Sequence, residues 1–199
     1  CNGKNTGWYN VFQGDISYIT QAFVFANRYA PRDVKLFYND YNDADPVKRD
    51  EICILLRQIR ETEGARIDGM GMQAHYHMDF PSVEQLAEAV RAYSSIVEEI
   101  QFTEFDLQSS RGYDGSDRES ELNREGERYR ELFQTIYGLD KEDGINITGV
   151  TFWGTHDGAS WLQDVSFVGG GADGSRPQMP LPFDDDYNVK PSYWGIIDA

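Results

Sequence analysis

The stretch Glu98-Glu99-Ile100-Gln101-Phe102-Thr103-Glu104-Phe105-Asp106-Leu107-Gln108-Ser109-Ser110 alternates apolar and polar residues with the period of a β-strand. Side chains two apart in a strand share a face, so Glu104 and Asp106 are expected to point the same way, with Phe102 behind them. A strand that aims two carboxylates into one interior space carries a desolvation cost. Such carboxylates are either paired structurally or placed there for chemistry.

The neighbouring segments set that strand in a repeating pattern. Helical spacing runs through Gly14–Ala30, with Ile16, Ile19, Phe23 and Ala26 on one face. Asp33–Asn42 is strand-like and ends in turn formers. Asp45–Gly64 is a helix with Asp45 as N-cap, Pro46 in the first turn and Gly64 at its end. Ile67–His77 is a strand. Ser82–Ile96 is a helix opened by Ser82 with Gln85 three residues on, a capping-box pattern. After Glu98–Gln108 comes a charged helix, Asp117–Gly138, with Leu122, Tyr129, Leu132, Phe133 and Ile136 as its buried stripe. Ile145–Asp157 is the last strand, and the Gly169–Gly174 run leads to a short final helix within Lys190–Ala199. Regular alternation of helix and strand predicts an α/β fold with a parallel sheet wrapped by helices, in a single domain. The dense apolar content of the strands fits burial on both faces.

In each strand the chemically useful side chains gather toward the C-terminal end. They are Asn39 and Asp40, then Gln73, His75 and His77, then Glu104 and Asp106, then Trp153, His156 and Asp157. Parallel α/β folds build their sites at that edge.

Composition narrows the function. The chain has 199 residues and a formal net charge of −16, which argues against nucleic acid and against anionic membranes as partners. No apolar run approaches the roughly 20 residues of a membrane-spanning helix. Of two cysteines, Cys1 is terminal and Cys53 sits in an amphipathic helical run, read as a buried free thiol. His75-Tyr76-His77 has a spacing seen in metal sites, but no cysteine or third ligand accompanies it, so no metal and no cofactor are expected. Gly69-Met70-Gly71 lacks the third glycine and the following helix of a dinucleotide fingerprint. The Gly169–Gly174 run is read as a cleft loop and Asp184–Asp186 as a solvated turn.

Four segments, Lys35–Asn42, Ile67–His75, Phe102–Gln108 and Gly149–Leu162, resemble in that order the signature segments of glycoside hydrolase family 10. Pro180–Asp198 resembles the way that family ends. The resemblance implies a (β/α)8 TIM barrel and a retaining endo-β-1,4-xylanase activity on xylan. The fold takes about 250 residues and eight strands, whereas four strand signals are present here. Residues 1–199 are therefore expected to be the C-terminal half of one catalytic barrel, strands five to eight. The family's acid/base glutamate and the N-terminal half of the barrel are expected upstream of Cys1.

The resemblance also implies roles. Glu104 matches the nucleophile, whereas the residues alone leave a strand-end salt bridge equally open. His75 matches a histidine that hydrogen-bonds the nucleophile, and Asp106 a carboxylate in the same network. Asp106 would lie about 6.6–6.8 Å along the strand from Glu104, on the same side of the sugar, which does not suit an inverting pair. Gln73, Asn39 and Tyr41 match positions near the substrate, and Trp153 and Trp161 match tryptophans that stack on sugars. Ordinary core or turn roles remain open for each of these. Taken alone, the chain is expected to be nearly inactive. The rival readings are a non-catalytic carbohydrate-binding barrel fragment and a related glycosidase of β-glucan or cellobiosides. A polymer substrate implies secretion or placement at the cell envelope.

Overall fold

The structure is a computed structural model that describes residues 7–164 and 177–199. Cys1 and the Gly169–Gly174 run lie outside the described residues. Every strand pairing in the sheet is parallel. β1 (Phe37–Asp40) pairs with β2 (Gly69–Met72), which pairs with β4 (Glu99–Gln108), and β5 (Ile147–Phe152) lies on the far side of β4. β3 (His75–His77) continues the line of β2 and pairs with the second half of β4. The expected single strand Ile67–His77 is thus two short strands. The break falls at Gln73-Ala74, where Ala74 takes a left-handed φ of 61°.

The helices follow their local signals closely. After a short helix α1 (Gly7–Val11), α2 (Ser17–Tyr29) buries Phe23 against Leu55 and Ile59 of α3 (Pro46–Glu61). Asp45 caps α3 by accepting from the backbone N–H groups of Val47 and Lys48. That helix ends three residues before Gly64, which serves the following turn at φ 80°. Ser82 and Gln85 close a capping box at the start of α4 (Val83–Ser94). α5 (Arg118–Lys141) runs past Gly138, and α6 (Pro191–Ile197) packs across it. The buried stripe of α5 differs from expectation. Tyr129, Leu132 and Ile136 are buried, Leu122 and Phe133 only partly, and Glu121, Glu125 and Arg128 are buried with them. Partners elsewhere in the chain draw these polar groups inward. The main core lies between the sheet and α3, α4 and α5, and it includes Cys53 as a free thiol.

One irregularity sets the geometry of the sheet's polar edge. Met72 pairs with Phe102 and His75 with Asp106, so β4 holds one more residue than its neighbour between those pairs. On the other side Phe102 pairs with Val150 and Phe105 with Phe152, again one residue more. This is a β-bulge at Thr103-Glu104, and it puts two consecutive side chains on one face. Phe102 is therefore not behind Glu104 and Asp106, as strict alternation implies. It turns with Phe105 toward the helices, their rings 6.4 Å apart and Phe105 5.6 Å from Tyr129. Thr103 and Glu104 both face Asn39 instead.

Candidate active site

Glu104, His75, Asp106, Asn39 and Trp161 form one hydrogen-bonded cluster, drawn from the last half of β1, the first residue of β3, the second half of β4 and the turn at Trp161–Gln163. Asn39 Nδ2 donates to Glu104 Oε1 at 3.0 Å. The same amide's Oδ1 accepts from Thr103 Oγ1 at 2.6 Å, which fixes which end of Asn39 meets the carboxylate. Glu104 Oε2 lies 3.3 Å from His75 Nε2, and His75 Nδ1 lies 3.0 Å from Asp106 Oδ1. Trp161 donates its indole N–H to Asp106 Oδ2 at 2.7 Å and sets its ring edge-on to His75, centroids 4.9 Å apart. The chain thus runs Asn39, Glu104, His75, Asp106, Trp161.

The backbone holds this cluster through the break in the sheet. Glu104 N–H donates to the carbonyl of Gln73, and Asp106 N–H to that of Ala74. Ala74 N–H donates to the fully buried carboxylate of Asp43 at 3.0 Å, whose other oxygen takes the Tyr76 hydroxyl at 2.7 Å. Asp43 therefore ties the turn after β1 to the residue that precedes His75. The sequence carries no signal for this role, because Asp43 reads as one more polar turn residue. The two glycines of β2 make room for side chains from β1. A Cβ on Gly71 would stand 2.6 Å from Asn39 Oδ1, and one on Gly69 would stand 2.2 Å from the Phe37 ring.

Electrostatics distinguish the two carboxylates. Burial pulls the His75 imidazolium down, but the hydrogen bond and charge of Asp106, joined by those of Glu104, raise it on balance above its ordinary value. Asp106 has a fully buried side chain and is pushed up by desolvation, with the His75 and Trp161 hydrogen bonds pulling back down. Both of its oxygens are committed within the cluster. Glu104 keeps some solvent contact, its side chain 15% exposed. Of the pair, Glu104 is the carboxylate placed to meet a ligand, and Asp106 the one that holds His75.

The other expected residues are spread along the same edge. Gln73 contributes its backbone, donating to Asp40 O and accepting from Glu104 N–H. Trp153 follows β5, donates its backbone N–H to Phe105 O, and is 46% exposed as a residue. Tyr41 lies past β1 with Lys48 Nζ 3.7 Å from its ring centre, and the same ammonium bonds Asp40. His77 pairs through its backbone with Phe80. The expected strand Ile145–Asp157 ends at Phe152, so His156 and Asp157 lie beyond it and turn elsewhere. His156 faces Tyr187, with rings 4.7 Å apart. Asp157 is drawn beneath the edge by the buried ammonium of Lys190, 3.0 Å away. Among the described residues, no group of three or more His, Cys, Asp or Glu could hold a metal ion. Among the same residues, no helix is long and apolar enough to cross a membrane.

A family model described as Glycosyl hydrolase family 10 matches residues 2–199. The chain belongs to this family. It is 36% identical over 195 residues to Endo-1,4-beta-xylanase B of Paenibacillus barcinonensis, a match that covers 98% of the chain and 56% of that protein. It is 33% identical over 200 residues to the Thermostable celloxylanase of Thermoclostridium stercorarium, covering 98% of the chain and 48% of that protein. The crystal structure of xylanase B from Clostridium stercorarium F9 superposes with a TM-score of 0.82 at 33% identity, over 98% of the chain and 55% of its own. The chain spans about half the length of the curated relatives it matches. Its parallel strands and their helices are accordingly about half of the family 10 (β/α)8 barrel.

Proposed function

We propose that residues 1–199 are the C-terminal half of one family 10 catalytic barrel and carry the nucleophile side of a retaining endo-1,4-β-xylanase site. The observation that carries this reading is the environment of Glu104. One oxygen is held by the Asn39 amide, the other faces His75, and the residue stands partly exposed in the second half of β4. Those contacts fix the carboxylate in direction, as a nucleophile requires. In the first step a Glu104 oxygen bonds the anomeric carbon as the glycosidic C–O bond breaks, and the leaving oxygen takes a proton from a second carboxylic acid, the acid/base group. In the second step water attacks that carbon, releases Glu104, and gives its proton back to the same acid/base group. Asp106 does not suit that group, because it is buried and both oxygens are taken. A glutamate outside residues 1–199 fills the role, on the other half of the barrel.

His75 and Asp106 position Glu104 in this reading. Trp153 and Trp161 offer apolar faces to the sugars, and Asn39, Gln73 and Tyr41 line the substrate. The substrate is xylan or a xylo-oligosaccharide, and a polymer of that size places the enzyme outside the cell or at its envelope. A second reading, a glycosidase of β-glucan or cellobiosides, is favoured by the celloxylanase among the relatives. Comparing rates on xylan and cellulose separates the two.

The test is intact mass after treatment with a 2-fluoro-xylobioside that carries a good leaving group. The chain is joined for this purpose with the complementary half of the barrel. One adduct, mapped to Glu104, is expected. A folded, complemented enzyme that turns over xylan without an adduct at Glu104 would sink the assignment. The chain by itself is expected to show almost no turnover.

A further inference from the structure

We infer that Lys190, from the C-terminal segment, is a positioning residue that fixes Trp161 against Asp106. Its side chain is buried, 3% exposed, and its ammonium sits between two buried carboxyl groups. It is 3.0 Å from Glu125 Oε1 on α5 and 3.0 Å from Asp157 Oδ2. It also donates to the carbonyls of Met179 and Leu181, each at 2.6 Å. Burying three ionisable groups is costly unless their geometry is well satisfied. Here the satisfied geometry joins three separate parts of the chain.

Asp157 converts that anchor into the shape of the turn bearing Trp161. Its Oδ1 accepts from Leu181 N–H at 2.9 Å, and its own N–H donates to Phe183 O. Its carbonyl accepts from Ser160 N–H and from the Gln163 side chain, which also bonds Gln178 O. Ser160 Oγ then accepts from Leu162 N–H. Trp161 lies inside this braced turn. Residues 157–163 are therefore held on one side by Lys190 and on the other by the Trp161–Asp106 bond. A shift at Lys190 has a short, fully bonded route to the carboxylate that orients His75. The link to catalysis rests on Glu104 being the nucleophile, but the link to Trp161 does not.

The experiment is hydrogen exchange of the Trp161 indole N–H and the Phe102 backbone N–H in the 199-residue chain labelled with 15N-tryptophan and 15N-phenylalanine, each assigned by the signal lost in Trp161→Phe and Phe102→Leu respectively. Lys190→Met is expected to speed that exchange by at least about tenfold while the backbone amide of Phe102 keeps its protection, a local opening and not a global one. Should Lys190→Met fail to fold, Asp157→Asn keeps an acceptor for Leu181 and removes the charge facing Lys190, and the same acceleration is expected. Unchanged Trp161 exchange in a folded variant overturns the inference. So does loss of protection at Trp161 and Phe102 together, because it would assign Lys190 to overall stability alone. No turnover is measured, so failure of the nucleophile assignment would leave this result standing.

Discussion

Trp161 holds one oxygen of Asp106 at 2.7 Å, which leaves the other for His75 at 3.0 Å. Both oxygens of Asp106 are thereby engaged within the cluster, whereas Glu104, on the same strand, keeps some solvent contact. Asp106 sets the ring and the proton of His75, and His75 in turn faces Glu104.

Asp106→Asn should lower the pKa of His75. Asp106 supplies the largest raising contributions, while the burial that opposes them remains. A histidine raised in the folded state adds stability that is complete below its unfolded value, about 6.5, and is lost as pH rises through the folded value. The variant should therefore lose about 1.5–3 kcal/mol at pH 5.5, the range for a hydrogen bond to a charged group, and less at alkaline pH. NMR titration of the imidazole and urea unfolding at the two pH values check this. An unmoved His75 titration would contradict it.

Glu125 provides a second titration with the opposite partner. Burial pushes its carboxyl up to about 8, with Lys190 pulling it back down. A carboxyl whose folded pKa exceeds its unfolded one binds more protons when folded. Stability then falls as pH rises from about 4.5 to about 8. The expected outcome is a Tm that declines between pH 6 and 8.5, and a flatter profile in Glu125→Gln. Scanning calorimetry in matched buffers distinguishes the two. An equally steep Glu125→Gln profile would place the titrating group elsewhere.

Asp43→Leu removes the acceptor of two buried donors, the Ala74 N–H and the Tyr76 hydroxyl. An unsatisfied buried donor costs about 1–3 kcal/mol, so the loss should exceed that of Asp43→Asn, which keeps one acceptor oxygen. Urea unfolding of both variants decides. Equal losses would mean that the Ala74 bond contributes little.

The sequence shows the polar edge more fully than it shows what supports it. Strand-end clustering and the family resemblance place Glu104, His75 and Asp106 together, and Ser82–Gln85 and Asp45 announce their helices from local chemistry alone. The bulge at Thr103-Glu104 does not show, because it is a mismatch of residue count between neighbouring strands. Strict alternation therefore assigned Phe102 to the wrong face. Asp43 and Lys190 are equally hidden. Each earns its position from partners about 30 to 65 residues away, across contacts that no local pattern records.

Gly71 gives the most direct test of how the site is set. A Cβ there would meet Asn39 Oδ1 at 2.6 Å and Thr103 Cγ2 at 3.0 Å, closer than packed atoms tolerate. Asn39 is pinned between Thr103 and Glu104, so it cannot retreat without releasing both. Gly71→Ala should cost about 1–3 kcal/mol as an overpacked site. It should also slow covalent labelling of Glu104 in the complemented enzyme. Asn39→Ala should slow labelling by a similar factor, because it removes the same hydrogen bond from the other side. The double variant should then be little slower than either single one, since residues acting through one contact are not additive. If the two effects multiply instead, Gly71 is acting on the site by some route other than Asn39.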